Sequence, residues 1–260
     1  IKKKAQLALK QTYVAEKGRK SKITSFPYNN ASYLELFWGL PVEQVKDSDI
    51  DYKPTVVIEH AGISLQRNHV EKQNRKYGLA GIIGGAHYVH SHVTGITMEL
   101  YGANYIMAPG AGLPPTVADR KVPEHRGYFW RHAGNNTMIV NGTTHGIQPG
   151  SWNSNAELWM DTTINVAAEP KHLEDPISPN FSFATQFLDD TVNDDQQRRT
   201  LSTIRTSETT GYYFDLFRSK SLGVNNFHDY IYHNLGDVTN IMTIDGTPLP
   251  VSPTNRYQTD

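Results

Sequence analysis

The chain has 260 residues, long enough for one large core, and no apolar run approaches the ~20 residues that a membrane-spanning helix needs, so a membrane partner is not expected. A net charge of −1 withholds the positive field on which nucleic-acid binding depends, so a nucleic-acid partner is not expected either. The absence of cysteine excludes disulfides, thiolate nucleophiles and Cys-ligated zinc, leaving His, Asp, Glu, Asn and backbone oxygens to hold any metal.

In chain order, the first element is helical. Lys2 to Lys20 intersperses Ala5, Leu7, Ala8, Leu9 and Ala15 with Lys and Gln and reaches a stop at Gly18. A second short helix is predicted over Ala31 to Trp38, ending near Gly39 and Pro41. The sequence begins at Ile1 without Met or a signal-peptide pattern, and residues 1–53 read as a helical lead-in and linker within a fragment of a longer protein.

From Pro54 the texture changes to short β-branched and aromatic runs separated by Gly, Asn, Asp and Pro. Strands are predicted at Thr55 to Glu59, Gly62 to Arg67, Gly95 to Tyr101, Asn104 to Met107, Thr137 to Asn141 and Glu157 to Met160. Further strands are predicted at Ile164 to Ala168, Phe181 to Leu188, Arg199 to Thr206, Gly211 to Phe217 and Asp229 to His233. No helical pattern of adequate length separates them, so the expected fold is all-β, an antiparallel β-sandwich over residues 54–260. His69 is placed in a loop, Pro109 to Pro123 reads as a long loop, and Pro176 to Pro179 reads as a hinge between sandwich layers.

The segment from His87 to Leu100 carries the densest chemistry. If it is extended, His90, His92, Thr94, Ile96, Met98 and Leu100 share one face. That face is apolar at Ile96, Met98 and Leu100 and carries two imidazoles at its start. Such imidazoles suit general acid–base work, metal ligation or hydrogen bonding to an anionic substrate, and equally suit capping of the sandwich edge through backbone carbonyls.

The order of motifs narrows the choice. Gly62-Ile-Ser-Leu-Gln-Arg67-Asn68 is followed by His90-Ser-His92, by Glu99-Leu-Tyr-Gly102 running to Pro109-Gly110, and by Gly134-Asn135-Asn136-Thr137. Later come Arg198-Arg199-Thr-Leu-Ser-Thr-Ile-Arg205 and Gly211-Tyr-Tyr-Phe-Asp215. Together they resemble the β-sandwich part of the heparinase II/III-like polysaccharide lyases, which include lyases of alginate, heparin and related polyuronates. In that family an α/α-toroid precedes the sandwich, and Ser32 to Trp38 looks like its end.

The resemblance implies β-elimination on an anionic polyuronate: alginate first, then heparin-like or ulvan-like chains. A base takes the C5 proton, an acid protonates the departing oxygen at C4, and donors neutralise the carboxylate. It implies that the missing toroid supplies a Tyr and a His or Asn, and that His90 is the catalytic contribution of the sandwich. His92 falls at a position that ligates zinc in some members, but Ala108 stands where an Asp is expected before Pro-Gly and Asn135 where a His is expected. A divalent metal is therefore open, zinc in the family manner is not expected, and His125, His132 or His145 are the remaining imidazoles for it.

Arg67 and Asn68 are candidates for the carboxylate, Asn135 and Asn136 for sugar hydroxyls, and Tyr128, Trp130 and Trp152 for stacking on sugar rings. His228, Tyr230, Tyr232 and His233 form a polar-aromatic group on one predicted strand. The contrasting reading is a non-catalytic carbohydrate-binding or structural sandwich. Periplasmic or secreted location is expected, and assembly into a homo-oligomer is left open.

Overall fold

The computed structural model describes residues 55–72, 75–85, 94–103, 105–111, 122–124, 128–129, 131–142, 144, 163–191, 193–223 and 225–257, with 69–72 and 75–77 as backbone. These all fall within a compact unit spanning Lys53–Asp260. The predicted helical lead-in, His90, His92, Trp130, Trp152 and the predicted strand Glu157 to Met160 lie outside the described residues.

The described fold is an antiparallel β-sandwich. One sheet contains β1 (Thr55–Ile58), β2 (Ile63–Lys72), β3 (Arg75–Gly84), β4 (Thr97–Gly102) and β5 (Tyr105–Ala108), side by side in that order. A second has the order β10-β9-β8-β7, made of β7 (Ile164–Glu169), β8 (Phe181–Asp190), β9 (Asp195–Arg205) and β10 (Gly211–Ser221). A two-stranded ribbon pairs β6 (Met138–Val140) with β11 (His228–Tyr230). The two large sheets face each other, with β3 against β9 and β2 against β8 and β9.

The predicted apolar face of β4 is buried as expected, with Ile96 at 0%, Met98 at 2% and Leu100 at 4% exposure. Met98 and Leu100 join Ile83, Ala108, Ala184 and Leu201 in the apolar core between the sheets. Elsewhere the interface is polar. On β2 the side chains turned inward are Ser64, Gln66 and Asn68. Gln66 donates to the Leu201 carbonyl at 3.0 Å and Asn68 to that of Thr203 at 3.3 Å, so both reach the backbone of the facing sheet. Ser182 lies 2.6 Å from Asn68 Oδ1 and 3.1 Å from Gln66 Oε1, and Gln186 donates to Ser64 at 2.6 Å. These buried amides and hydroxyls are tolerated because each side chain makes at least one bond across the layer, although Gln186 Oε1 has no partner.

Three expectations are corrected. β3 is a full strand that the sequence reading misses, because Gly78, Gly81 and Gly84 weaken its strand signal. The sheets approach closely at Gly81, where a Cβ would sit 2.7 Å from Leu201 Cδ2. His69 is in β2, opposite Gly78, and not in a loop. Pro176 and Pro179 lie in the connection from β7 to β8, which are neighbours in the same sheet, so they form no hinge between layers.

Arg199, fully buried on β9, ties the assembly together. Its Nε and Nη2 form a bidentate pair with Asp215 of β10 at 2.8 and 2.9 Å. Nη1 donates to the carbonyls of Ile96 at 2.8 Å and Asn136 at 2.5 Å, and Nη2 also donates to the Tyr230 hydroxyl at 3.1 Å. All five guanidinium N–H groups are thus used. The guanidinium carbon stands 4.7 Å from the centre of the Phe217 ring, adding a cation–π contact. Removing one partner of such a pair leaves a buried charge uncompensated, so Arg199→Ala is expected to lose about 3–5 kcal/mol of stability. A urea titration reads this as a lower midpoint at unchanged slope.

Candidate functional site

The residues leading into β6 form a compact turn. Arg131 N–H donates to the Tyr128 carbonyl at 3.0 Å, Gly134 to Arg131 at 3.1 Å and Asn135 to His132 at 2.9 Å. Gly134 is required by space, because a Cβ there would approach the Tyr128 carbonyl oxygen to 2.7 Å. Asn135 closes the same turn, donating from Nδ2 to the Arg131 carbonyl at 2.7 Å.

Asn136 is the centre of the site. Its Nδ2 donates to the carbonyls of Met98 and Pro109, both at 3.0 Å. Carbonyls only accept, which fixes the amide orientation and turns Oδ1 towards His233. The backbone N–H of His233 donates to that oxygen at 2.6 Å, and His233 Nδ1 lies 3.3 Å from it. Nδ1 therefore carries the proton in the neutral ring. This leaves the Nε2 lone pair to accept the Tyr128 hydroxyl at 2.9 Å.

Burial shapes the electrostatics. It lowers the His233 pKa, an effect partly offset by a hydrogen bond to the Ala133 carbonyl, and it raises that of the Tyr128 phenol. Both are neutral near neutral pH, and the Tyr128 proton is directed at a free imidazole lone pair. The phenol oxygen can then accept a proton from outside while passing its own to His233. Nearby, burial and the Glu99 carboxylate push Tyr101 up to about 12, with the Tyr101 hydroxyl donating to Glu99. Gly110 leaves room between Glu99 and Asn135; a Cβ there would lie 3.0 Å from Glu99 Oε1 and 3.2 Å from Asn135 Oδ1.

The segment bearing His90 and His92 lies outside the described residues, but both of its flanks are held. Gly85 donates to the Gly62 carbonyl at 3.2 Å and to Thr163 Oγ1 at 3.1 Å. Ile96 is gripped by Arg199. Gly95, at φ +58°, leaves a position where a Cβ would sit 3.2 Å from Nε2 of the buried His132.

The predicted site residues separate into two places. Tyr128, Asn135 and Asn136 come together with His233. Arg67 and Asn68 do not form a joint carboxylate clamp, because adjacent strand residues point to opposite faces. Asn68 is committed to Ser182 and Thr203 between the sheets, which corrects its assignment to substrate, while Arg67 is half-buried on the other face of β2. The polar-aromatic group also divides: His228 pairs with Asp195 at 3.1 Å, Tyr230 serves Arg199 and Asp215, and His233 belongs to the site. The roles of Asn136 and His233 rest on contacts across 97 positions of sequence, which no local motif encodes.

The two replaced metal positions do not suit an ion. Ala108 is fully buried in the apolar core, and the Asn135 amide is occupied with backbone. Among the described residues, no three His, Asp or Glu side chains converge on one point.

No protein-family model matches the chain. An endo-acting ulvan lyase from Formosa agariphila is 62% identical over 261 aligned residues, covering 100% of this chain and 32% of the lyase. The chain thus spans about one third of the length of that curated relative. Among solved structures, a heparinase III aligns with a TM-score of 0.45 and 13% identity over 77% of this chain and 25% of the other.

The lowered His233 pKa has a consequence for stability. The unfolded chain binds a proton near 6.5 while the folded chain resists it, so stability rises with pH between the folded value and 6.5 and is lost as pH falls through that window. The melting temperature of His233→Asn is expected to vary less than that of the parent below pH 6.5, as differential scanning fluorimetry across pH can check.

Proposed function

We propose that this chain, which belongs to the same family of polysaccharide lyases as the ulvan lyase it matches, is the β-sandwich part of an enzyme that cleaves ulvan by β-elimination. The observation that carries the reading is identity of 62% along the whole chain, which supports ulvan ahead of the alginate and heparin-like chains that the motifs alone suggest. A missing helical domain supplies the rest of the cleft on this reading, in keeping with a relative about three times as long. Export from the cell belongs to the same proposal, since a polymer of this kind is met outside it.

β-Elimination needs a base for the C5 proton, an acid for the leaving oxygen and donors that neutralise the carboxylate. His90, which the motif order singles out, is our candidate for the imidazole at the reacting centre. Tyr128, backed by His233 and Asn136, offers a second proton-handling group on a rigid support. The contrasting non-catalytic sandwich predicts that neither residue affects turnover.

The full-length protein incubated with ulvan is expected to generate the ultraviolet absorbance of an unsaturated uronate. No absorbance with ulvan would refute the assignment. His90→Ala is expected to lower turnover by ~10²-fold or more at unchanged melting temperature. Tyr128→Phe, which removes only the hydroxyl, is expected to lower it by roughly tenfold or more. Wild-type rates in folded forms of both variants would favour the non-catalytic reading.

A further inference from the structure

A cleft of about 420 Å³ opens where the β4–β5 turn meets the hairpin joining β9 to β10. Leu79, Tyr105, Met107, Arg205 and Tyr213 line it, with Glu208, Thr209 and Thr210 contributed by the hairpin. It sits at the opposite end of β4 from Gly84 and Thr97. Gly84 pairs with Thr97, whereas the cleft adjoins the pairing of Leu79 with Gly102. Five residues along β4 separate the two ends, about 16 Å at the usual rise of a strand.

Arg205 distinguishes this cleft from a surface dent. It projects inward from the same strand and the same face as Arg199 and is 9% exposed. Arg199 uses all five of its donors, with a bidentate carboxylate among the acceptors. Arg205 has one long contact, from Nε to the Ser207 carbonyl at 3.4 Å, and its buried Nη1 has no hydrogen-bond partner. No carboxylate among the described residues forms an ion pair with it. A buried guanidinium without a counter-charge is costly, and an anion entering the cleft would relieve that cost.

The remaining walls narrow the class of anion. Tyr105 is 72% exposed and Met107 is 37% exposed, and together with Leu79 they give an aromatic and apolar surface suited to the C–H face of a sugar ring. Glu208 at the rim disfavours a bare anion but can accept sugar hydroxyls, and the Thr209 side chain adds a further hydroxyl. Resting on the lyase reading, we propose that this cleft is a second, non-catalytic subsite that holds an acidic sugar unit of the polysaccharide, with its carboxylate or sulfate on Arg205 and its ring against Tyr105.

The test uses the full-length protein with acidic oligosaccharides prepared from ulvan, and neutral cello-oligosaccharides as controls, in calorimetric titrations. Tyr105→Ala alters an exposed side chain, and Arg205→Met keeps the apolar stem of the buried side chain while removing the charged guanidinium. Each is expected to weaken binding of the acidic oligosaccharides about tenfold. Arg205→Met is expected to retain or raise the melting temperature, because it deletes an uncompensated charge. Unchanged affinity in both variants, or a lowered melting temperature for Arg205→Met with binding intact, would overturn the proposal. Ulvan cleavage, followed by absorbance in the same wild-type samples, separates the two readings. Cleavage with variant-insensitive binding removes only this subsite, whereas a wild type that neither binds nor cleaves removes both.

Discussion

A charge buried in a protein must find its counter-charge and its hydrogen bonds, and Arg199 is where this constraint organises the sandwich. One side chain on β9 engages Asp215 of β10, the hydroxyl of Tyr230 on β11, and the carbonyls of Ile96 and Asn136. These partners come from both large sheets' surroundings and from the small ribbon. The Tyr230 hydroxyl donates to Asp215 at 2.7 Å, so it accepts from Arg199 and closes the network. Burial raises the Tyr230 pKa and keeps that proton in place. A lysine could supply the charge but not the planar fork that reaches five acceptor positions.

The constraint passes from the core to the chemistry. Asn136 orients His233, so the guanidinium that holds the Asn136 carbonyl also fixes the backbone from which His233 and Tyr128 are positioned. Asn136 is the hinge of this connection in a strictly geometric sense: its carbonyl is held by Arg199 and its side-chain oxygen is presented to His233. The geometry around Asn136 and His233 therefore derives from packing in the interior.

The interface between the sheets has two characters. The apolar part around Leu201 and Ile83 excludes water, while the layer of Ser64, Gln66, Asn68, Ser182 and Gln186 joins the sheets through directional bonds. Such bonds specify register more than they add net stability, since each replaces a bond to water. Arg205 at the end of β9 stands apart from both parts. Its charge is buried without a counter-charge, in a cleft with an exposed tyrosine, and that combination suits a ligand better than a fold.

The all-β class was legible in the sequence because alternation and turn residues are local, and the inward run of Ile96, Met98 and Leu100 was legible for the same reason. Tyr128 and the Asn135–Asn136 pair were also legible as polar and aromatic groups beside a glycine turn, although not which asparagine would matter. Tertiary structure decided what depends on distance in sequence. Glycines hid β3, and the closeness of Leu201 accounts for Gly81 while the approach of the Gly62 carbonyl accounts for Gly84. The pleat set Arg67 and Asn68 on opposite faces, and the facing sheet drew Asn68 inward. The pairing of Tyr128 with His233, and the contrast between a satisfied Arg199 and an unsatisfied Arg205 on one strand, arise from what the folded chain brings alongside each side chain, because local sequence sets a residue's direction while its neighbours set its chemistry.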